Sequence, residues 1–293
     1  MWCADGWKEY ELIDTSDGER LERWGQYILI RPDPQIIWKG CAASSLWKKA
    51  HGIYRRSSSG GGAWIKNEMP PQWSIRYGER LTFLLRPMGF KHTGLFPEQA
   101  ANWEWFSGLI RRAKEREPGR EVRVLNLFAY TGGATMAAAD AGASVVHVDA
   151  AKGMVAQAKE NARLCGLAEA PIRYIVDDCK KFVEREIRRG NRYDGIIMDP
   201  PSYGRGPGGE VWKLEDSVDE LISLAAGLLS DKALFFLVNF YTTGLSPMTM
   251  SYIVDLKVKK THGGRTEAGE LGLPVTTTGS PLPCGASARW EAD

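Results

Sequence analysis

Four short segments carry side chains suited to gripping a polar ligand. Ala129-Tyr-Thr-Gly-Gly133 is a glycine turn set between apolar stretches. Glycine lets the backbone pass close to a ligand, and the start of a following helix offers N–H groups to it. Asp149 lies 16 residues beyond Gly133, where a carboxylate can accept both hydroxyls of a ribose. In Asp177-Asp178 either residue could accept from the amino group of an adenine. In Asp199-Pro-Pro-Ser-Tyr203 two prolines stiffen the chain and remove two donors, leaving carbonyls and a ring to face a planar group. Each of the first three also has a plain structural role open to it: a tight turn, or a helix cap. The glycines do not form G-x-G-x-x-G, so the dinucleotide fingerprint of a nicotinamide dehydrogenase is absent.

The elements needed to position these segments follow from periodicity. Strands are predicted over 122–128, 144–148, 172–176, 193–198 and 233–240. Helices are predicted between them, over 134–141, 152–164, 180–188 and 218–229. Alternation of that kind implies βαβ units and a parallel sheet, an α/β fold whose ligands sit beyond the C-terminal strand ends. All four segments fall at such ends. A helix over 99–117 leads in, closed by Pro118-Gly119. Two further strands are expected near 272–277 and the C-terminus. Residues 1–95 read instead as a smaller β-rich domain, with strands at 27–31 and 80–86, glycine punctuation at 60–62, and a loop entering a short helix over 38–50. Residues 96–293 form the larger domain.

Val124-Leu-Asn-Leu-Phe-Ala-Tyr-Thr-Gly-Gly133, His147-Val-Asp149, Val176-Asp-Asp-Cys-Lys180 and Met198-Asp-Pro-Pro-Ser-Tyr203 resemble the motifs of class I S-adenosylmethionine-dependent methyltransferases. The similarity is strongest to the group that modifies large-subunit (23S) ribosomal RNA. Gly94-Leu-Phe-Pro-Glu-Gln99 resembles that group's segment before the core, and Leu282-Pro-Cys-Gly-Ala286 its C-terminal signature. The resemblance spans about residues 10–290. It implies a Rossmann-like sheet of seven strands, the last antiparallel, with S-adenosylmethionine as cofactor. It also implies that Tyr130, Thr131, Gly132 and Gly133 shape the pocket for the methionine part, that Asp149 binds the ribose and that Asp178 meets the adenine amino group. Phe96 and Gln99 would close the pocket.

The acceptor side is expected at Asp199, Pro200 and Tyr203. The Pro200 carbonyl and the Asp199 carboxylate would accept from an amino group on a base, and Tyr203 would stack on the ring. In the wider superfamily the aromatic directly follows Pro-Pro; here Ser202 intervenes. Methylation at a pyrimidine carbon needs a thiolate. Val238-Asn-Phe-Tyr-Thr-Thr-Gly244, after the fifth strand, holds no cysteine. Cys165 and Cys179 read as spectators and Cys284 is left open, so a nitrogen acceptor is favoured. Asn239 and Tyr241 could orient the base or merely bond loop backbone. The Gly204–Gly209 loop, flanked by Arg205 and Lys213, could serve as a lid or a plain connector.

Charge is divided unevenly. From Lys39 to Lys91 there are ten Lys or Arg and two acids, whereas residues 121–293 carry 19 basic and 22 acidic residues. Nine of eleven tryptophans precede residue 106. Cations neutralise phosphates and aromatics stack on bases, so the N-terminal region reads as an RNA platform, with at least half its tryptophans expected in the core. Five dispersed cysteines without C-x-x-C spacing argue against a disulfide frame or a zinc site. No export signal or membrane span is apparent, and a cytoplasmic location is expected. A methyltransferase acting on a protein or small molecule, or a non-catalytic RNA-binding module retaining the cofactor pocket, are the alternatives.

Overall fold

The computed structural model describes residues 1–57, 61–205, 211–242 and 244–293. The chain divides into two compact units. The larger holds Met1–Trp2, Ala101–Leu271 and Gly285–Asp293; the smaller holds Cys3–Ala100 and Gly272–Cys284. A single cut at residue 95 therefore misses the late segment that returns to the small unit, because the two C-terminal strands run through both.

The central sheet has eight strands in the order Trp2–Cys3, Arg265–Pro274, Pro281–Glu291, Phe235–Phe240, Gly195–Met198, Arg123–Leu127, Ser144–Asp149, Ile172–Val176. Seven match the expected sheet, and the two-residue Trp2–Cys3 adds an edge. The five central strands pair in parallel, with registers such as Val145↔Val124, Val146↔Arg173, Ile196↔Leu125 and Met198↔Val238. The final strand is antiparallel to its neighbour, with Asn239 opposite Ser287. Strand order reverses between Arg123–Leu127 and Gly195–Met198, which opens a crevice beyond their C-terminal ends.

Buried apolar strand residues are what the helices cover. Leu125, Leu127, Val148, Ile196, Met198, Phe236 and Val238 pack with Phe182 and Val183 of helix Cys179–Arg189 and Leu221 and Ile222 of helix Leu214–Ala226. Helix Lys152–Leu164 begins and ends where its periodicity predicted. One helical stretch was not foreseen: Pro247–Val254 continues through a π turn at Asp255–Lys259 to His262. Its start carried a signal, since the Ser246 Oγ accepts the Met248 N–H with Pro247 in the first turn. Among the described residues no helix is long and apolar enough to cross a membrane.

The small unit is β-rich, as expected. A five-stranded sheet runs Tyr10–Ser16, Glu19–Trp24, Tyr27–Pro32, Gly52–Arg56, Gly62–Asn67, and Trp73–Tyr77 pairs with Leu81–Leu85. Residues 38–50 are a loop entering a 3-10 turn at Ser45–Lys49. Gly60 lies outside the described residues. Of the aromatics that lie among the basic residues of 39–91, Trp47, Trp64, Trp73 and Tyr77 are half-buried and Tyr54 is buried. Trp47 Nε1 donates to Asp14, Trp64 Nε1 to the Met88 carbonyl and Trp73 Nε1 to the Trp24 carbonyl. The cations differ. Lys39, Lys48, Lys49, Arg55, Arg56, Arg76, Arg80 and Arg86 are exposed, with Arg55 paired to Glu19 and Arg76 to Glu9.

Candidate active site

In the large unit, every strand end predicted to carry a ligand group does follow a central strand. After Arg123–Leu127 the chain makes a contorted turn: Phe128 and Tyr130 have φ of 56° and 51°, and Gly132 has φ of 86°. Non-glycine residues in the left-handed region mark backbone held there by its surroundings. The holders are identifiable. Asp149 Oδ2 accepts the Tyr130 N–H at 2.8 Å, and the buried Asn161 donates from Nδ2 to the Thr131 carbonyl at 2.8 Å. Gly132 leaves little room for a side chain, since a Cβ would lie 3.1 Å from that of Ala158. At Gly133 a Cβ would come within 2.7 Å of the Trp103 ring. Sequence reading missed Asn161. Its place on the buried helix face, beside Ala158 and Ala162, was the available signal.

Asp149 does not cap the next helix; Ala151 occupies that position without a side-chain cap. Asp149 instead spans a turn, with Oδ1 accepting the Ala151 N–H at 2.8 Å. Behind it, buried His147 shares a hydrogen bond between Nδ1 and Thr135 Oγ1 at 2.9 Å, and Thr135 accepts from Asn126. Burial lowers the His147 pKa to about 3, so the ring is neutral at ordinary pH. At the third strand end the two acids divide their work. Asp178 is exposed and caps helix Cys179–Arg189, accepting the Lys181 N–H at 2.9 Å. Asp177 pairs with Arg185. Val176, 50% exposed, leaves apolar surface beside them.

Asp199-Pro-Pro-Ser-Tyr203 runs from the fourth strand into a hairpin, Tyr203–Arg205 against Val211–Lys213. The Trp212 indole donates to the Pro201 carbonyl at 2.6 Å and lies 5.8 Å from the Phe128 ring. The Pro201 carbonyl is thus committed to the hairpin, and Pro200, the expected acceptor, is buried. Ser202 has a use of its own. Its carbonyl accepts the Leu214 N–H at 3.1 Å and its Oγ accepts from Thr242 at 2.9 Å, linking the fourth and fifth strand ends. Tyr203 is 53% exposed. Residues 206–209 of the lid segment lie outside the described residues.

Asn239 does not bond loop backbone through Nδ2: it donates to Asp199 Oδ1 at 2.8 Å and its Oδ1 accepts from Ser287. Tyr241 lies over Gly285, where a Cβ would come within 2.8 Å of its ring. Cys179 is buried, its Sγ takes the Phe128 N–H at 3.3 Å, and burial pushes its thiol well up. Cys165 follows the last turn of its helix. Cys284 belongs to the small unit, with its thiol likewise raised by burial. Phe96 and Gln99 also belong to the small unit, where Phe96 opens the 3-10 turn Pro97–Gln99 and its carbonyl accepts the Gln99 N–H.

The tight left-handed turn at Gly132, acids after the second and third strands, and apolar surface at Val176 fit a nucleoside-bearing cofactor lacking a pyrophosphate. The comparisons agree. The family profile for S-adenosylmethionine-dependent methyltransferases matches residues 28–224. A SAM-dependent methyltransferase structure from Agrobacterium tumefaciens superposes with a TM-score of 0.91 at 36% identity, covering 99% of this chain and 93% of that one. A Streptococcus mutans chain described as a SAM-dependent methyltransferase shares the fold, with a TM-score of 0.70 at 18% identity over 98% of this chain and 76% of that one. A ribosomal RNA large subunit methyltransferase K/L of Shewanella baltica is 35% identical over 161 residues, 53% of this chain. This chain spans only 20% of that relative's length. Site, fold and profile together place the chain in the S-adenosylmethionine-dependent methyltransferase family, class I, with S-adenosylmethionine as its cofactor.

Proposed function

We propose that the protein methylates a base in RNA, most specifically a nitrogen of a large-subunit ribosomal RNA base. The observation carrying this reading is the end of the fourth strand. There Asp199 is held by Asn239 at 2.8 Å, Pro200 follows, and the exposed Tyr203 stands on a hairpin pinned through Pro201 and Ser202. A fixed acceptor beside an exposed ring suits a flat base carrying an amino group, extruded from its stack. The cofactor, when bound, supplies an electrophilic methyl group. The protein's part is to hold the nucleophile in line with it.

In this reading Asp149 binds the ribose, Asp178 and the surface of Val176 meet the adenine, and Tyr130 to Gly133 border the methionine part. Nitrogen is favoured over carbon because no cysteine follows the fourth or fifth strand and the Cys179 thiol is buried and hard to ionise. RNA is favoured by the name of the Shewanella relative and by the exposed cations of the small unit. Those cations, not the tied-down tryptophans, make the RNA-contacting surface, and the cytoplasm is the location that goes with ribosomal RNA.

Incubation of the protein with labelled S-adenosylmethionine and unmodified ribosomal RNA, followed by nucleoside mass spectrometry, tests the reading. An N-methylated nucleoside at one site is expected. Label on a protein or small molecule and not on RNA would overturn it.

A further inference from the structure

A line of buried polar side chains runs away from Asp199 on the far side of Asn239. Asn239 and Ser287 are cross-strand partners on the fifth and last strands. Two residues on from Ser287, and so on the same face, is Arg289. Asn102, near the start of helix Ala100–Arg116, touches both. Asn102, Asn239 and Ser287 are at most 1% exposed and Arg289 is 7% exposed.

The hydrogen bonds all point one way. Arg289 Nε donates to Asn102 Oδ1 at 2.9 Å. Asn102 Nδ2 donates to Ser287 Oγ at 3.0 Å, Ser287 Oγ donates to Asn239 Oδ1 at 2.9 Å, and Asn239 Nδ2 donates to Asp199 Oδ1 at 2.8 Å. A chain that starts on a cation and ends on a carboxylate polarises each member in the same sense, so every bond strengthens the next. It also fixes both amide orientations, because a flipped Asn239 would set its oxygen against the Asp199 carboxylate and a flipped Asn102 would set its N–H against that of Arg289. The cation is itself held, by the Ala101 carbonyl at 2.9 Å and by the Trp2 ring, whose centroid is 3.8 Å from its carbon centre. A fully satisfied buried network specifies one geometry.

We infer that Arg289, Asn102 and Ser287 are positioning residues for Asp199, acting through Asn239 to hold its carboxylate in one plane for the acceptor base. This rests on the reading of Asp199 as part of the acceptor site. The residues touch neither cofactor nor base. Their contribution is the rigidity and polarity of the one acceptor that a planar amino group must meet.

The test uses the full chain, labelled with nitrogen-15, and follows the Asn239 side-chain amide protons, identified by their loss in Asn239→Ala. In Ser287→Ala the Asn239 donor and its Asp199 acceptor are both intact, yet the resonance is expected to move upfield, and Ser287→Thr, which keeps the hydroxyl, to restore it. Arg289→Lys, which cannot place an N–H where Nε stands, is expected to shift it in the same direction and carries the test should Ser287→Ala not fold. With ribosomal RNA as substrate, kcat should fall about tenfold in Ser287→Ala with the KM for S-adenosylmethionine unchanged. An Asn239 resonance unmoved in a folded Ser287→Ala or Arg289→Lys would overturn the inference, whatever the kinetics. Should the unaltered protein methylate no RNA, the RNA reading falls, while the Asn239 resonance still decides the relay.

Discussion

Asp149 Oδ2 accepts the backbone N–H of Tyr130 at 2.8 Å, so the carboxylate after the second strand holds the turn after the first. One side chain thereby shapes the pocket and presents charge to it. Its other oxygen takes the Ala151 N–H, which fixes the carboxylate plane. The acid proposed to bind the ribose is also the hydrogen-bond partner that holds Tyr130 at a φ of 51°.

The turn is equally sensitive at Gly132. Alanine there would carry a left-handed φ, at a cost of about 1–2 kcal/mol, and press its Cβ to 3.1 Å from Ala158. Gly132→Ala should lower the melting temperature by roughly 3–8 °C and weaken S-adenosylmethionine binding. Unchanged melting and binding would show that the turn has no such constraint.

Tyr203→Ala should separate the two substrates. Base–aromatic stacking is worth about 1–3 kcal/mol, so kcat/KM for RNA should fall roughly 10- to 100-fold, while calorimetry finds cofactor affinity unchanged. An equal loss of cofactor affinity would place Tyr203 in the wrong half of the site.

Much of the large unit was legible because its signals are periodic and local. Lys152–Leu164 and Ile172–Val176 were read at their observed bounds, and the strand-end acids fell where a parallel sheet puts them. Roles that depend on distant partners were not legible. Nothing in the local sequence says that Asn239 faces Asp199 and Ser287, or that Ser202 ties Thr242 to the hairpin. The small unit was legible as β-rich, but not all of its strands were. Strand Glu19–Trp24 carries Arg20 and Glu22, a pattern expected at a surface, yet both are buried, with Glu22 bonded to Arg31. Asp17-Gly18 was the available hairpin signal, with φ of 55° and 80°. Composition alone could not separate tryptophans that pack from tryptophans that stack.

Cys179→Ala tests the choice of nitrogen over carbon. With its thiol buried and raised, Cys179 holds little thiolate. The variant should lose about 1 kcal/mol of stability and keep kcat within about twofold. A folded variant without transfer would restore a thiolate mechanism.

His147 gives the fold a pH dependence. Its folded pKa is lowered to about 3, below an unfolded value of about 6.5, so between these limits the unfolded chain binds the extra proton. Stability from this group is complete above about pH 6.5 and is lost as pH falls toward 3. Urea unfolding should therefore show declining stability from pH 6.5 to 5, a window above the carboxylates, and His147→Gln should roughly halve the slope, the rest coming from His92, whose pKa burial also lowers to about 3. Equal slopes in the two proteins would contradict the buried neutral ring.

The most direct measurement is calorimetric titration of the protein and of Asp149→Ala with S-adenosylmethionine. The account predicts saturable one-to-one binding by the unaltered protein and, for the variant, affinity weakened roughly 10- to 100-fold, the scale of a lost hydrogen bond to a charged group. No binding by the unaltered protein, or full affinity in Asp149→Ala, would contradict it.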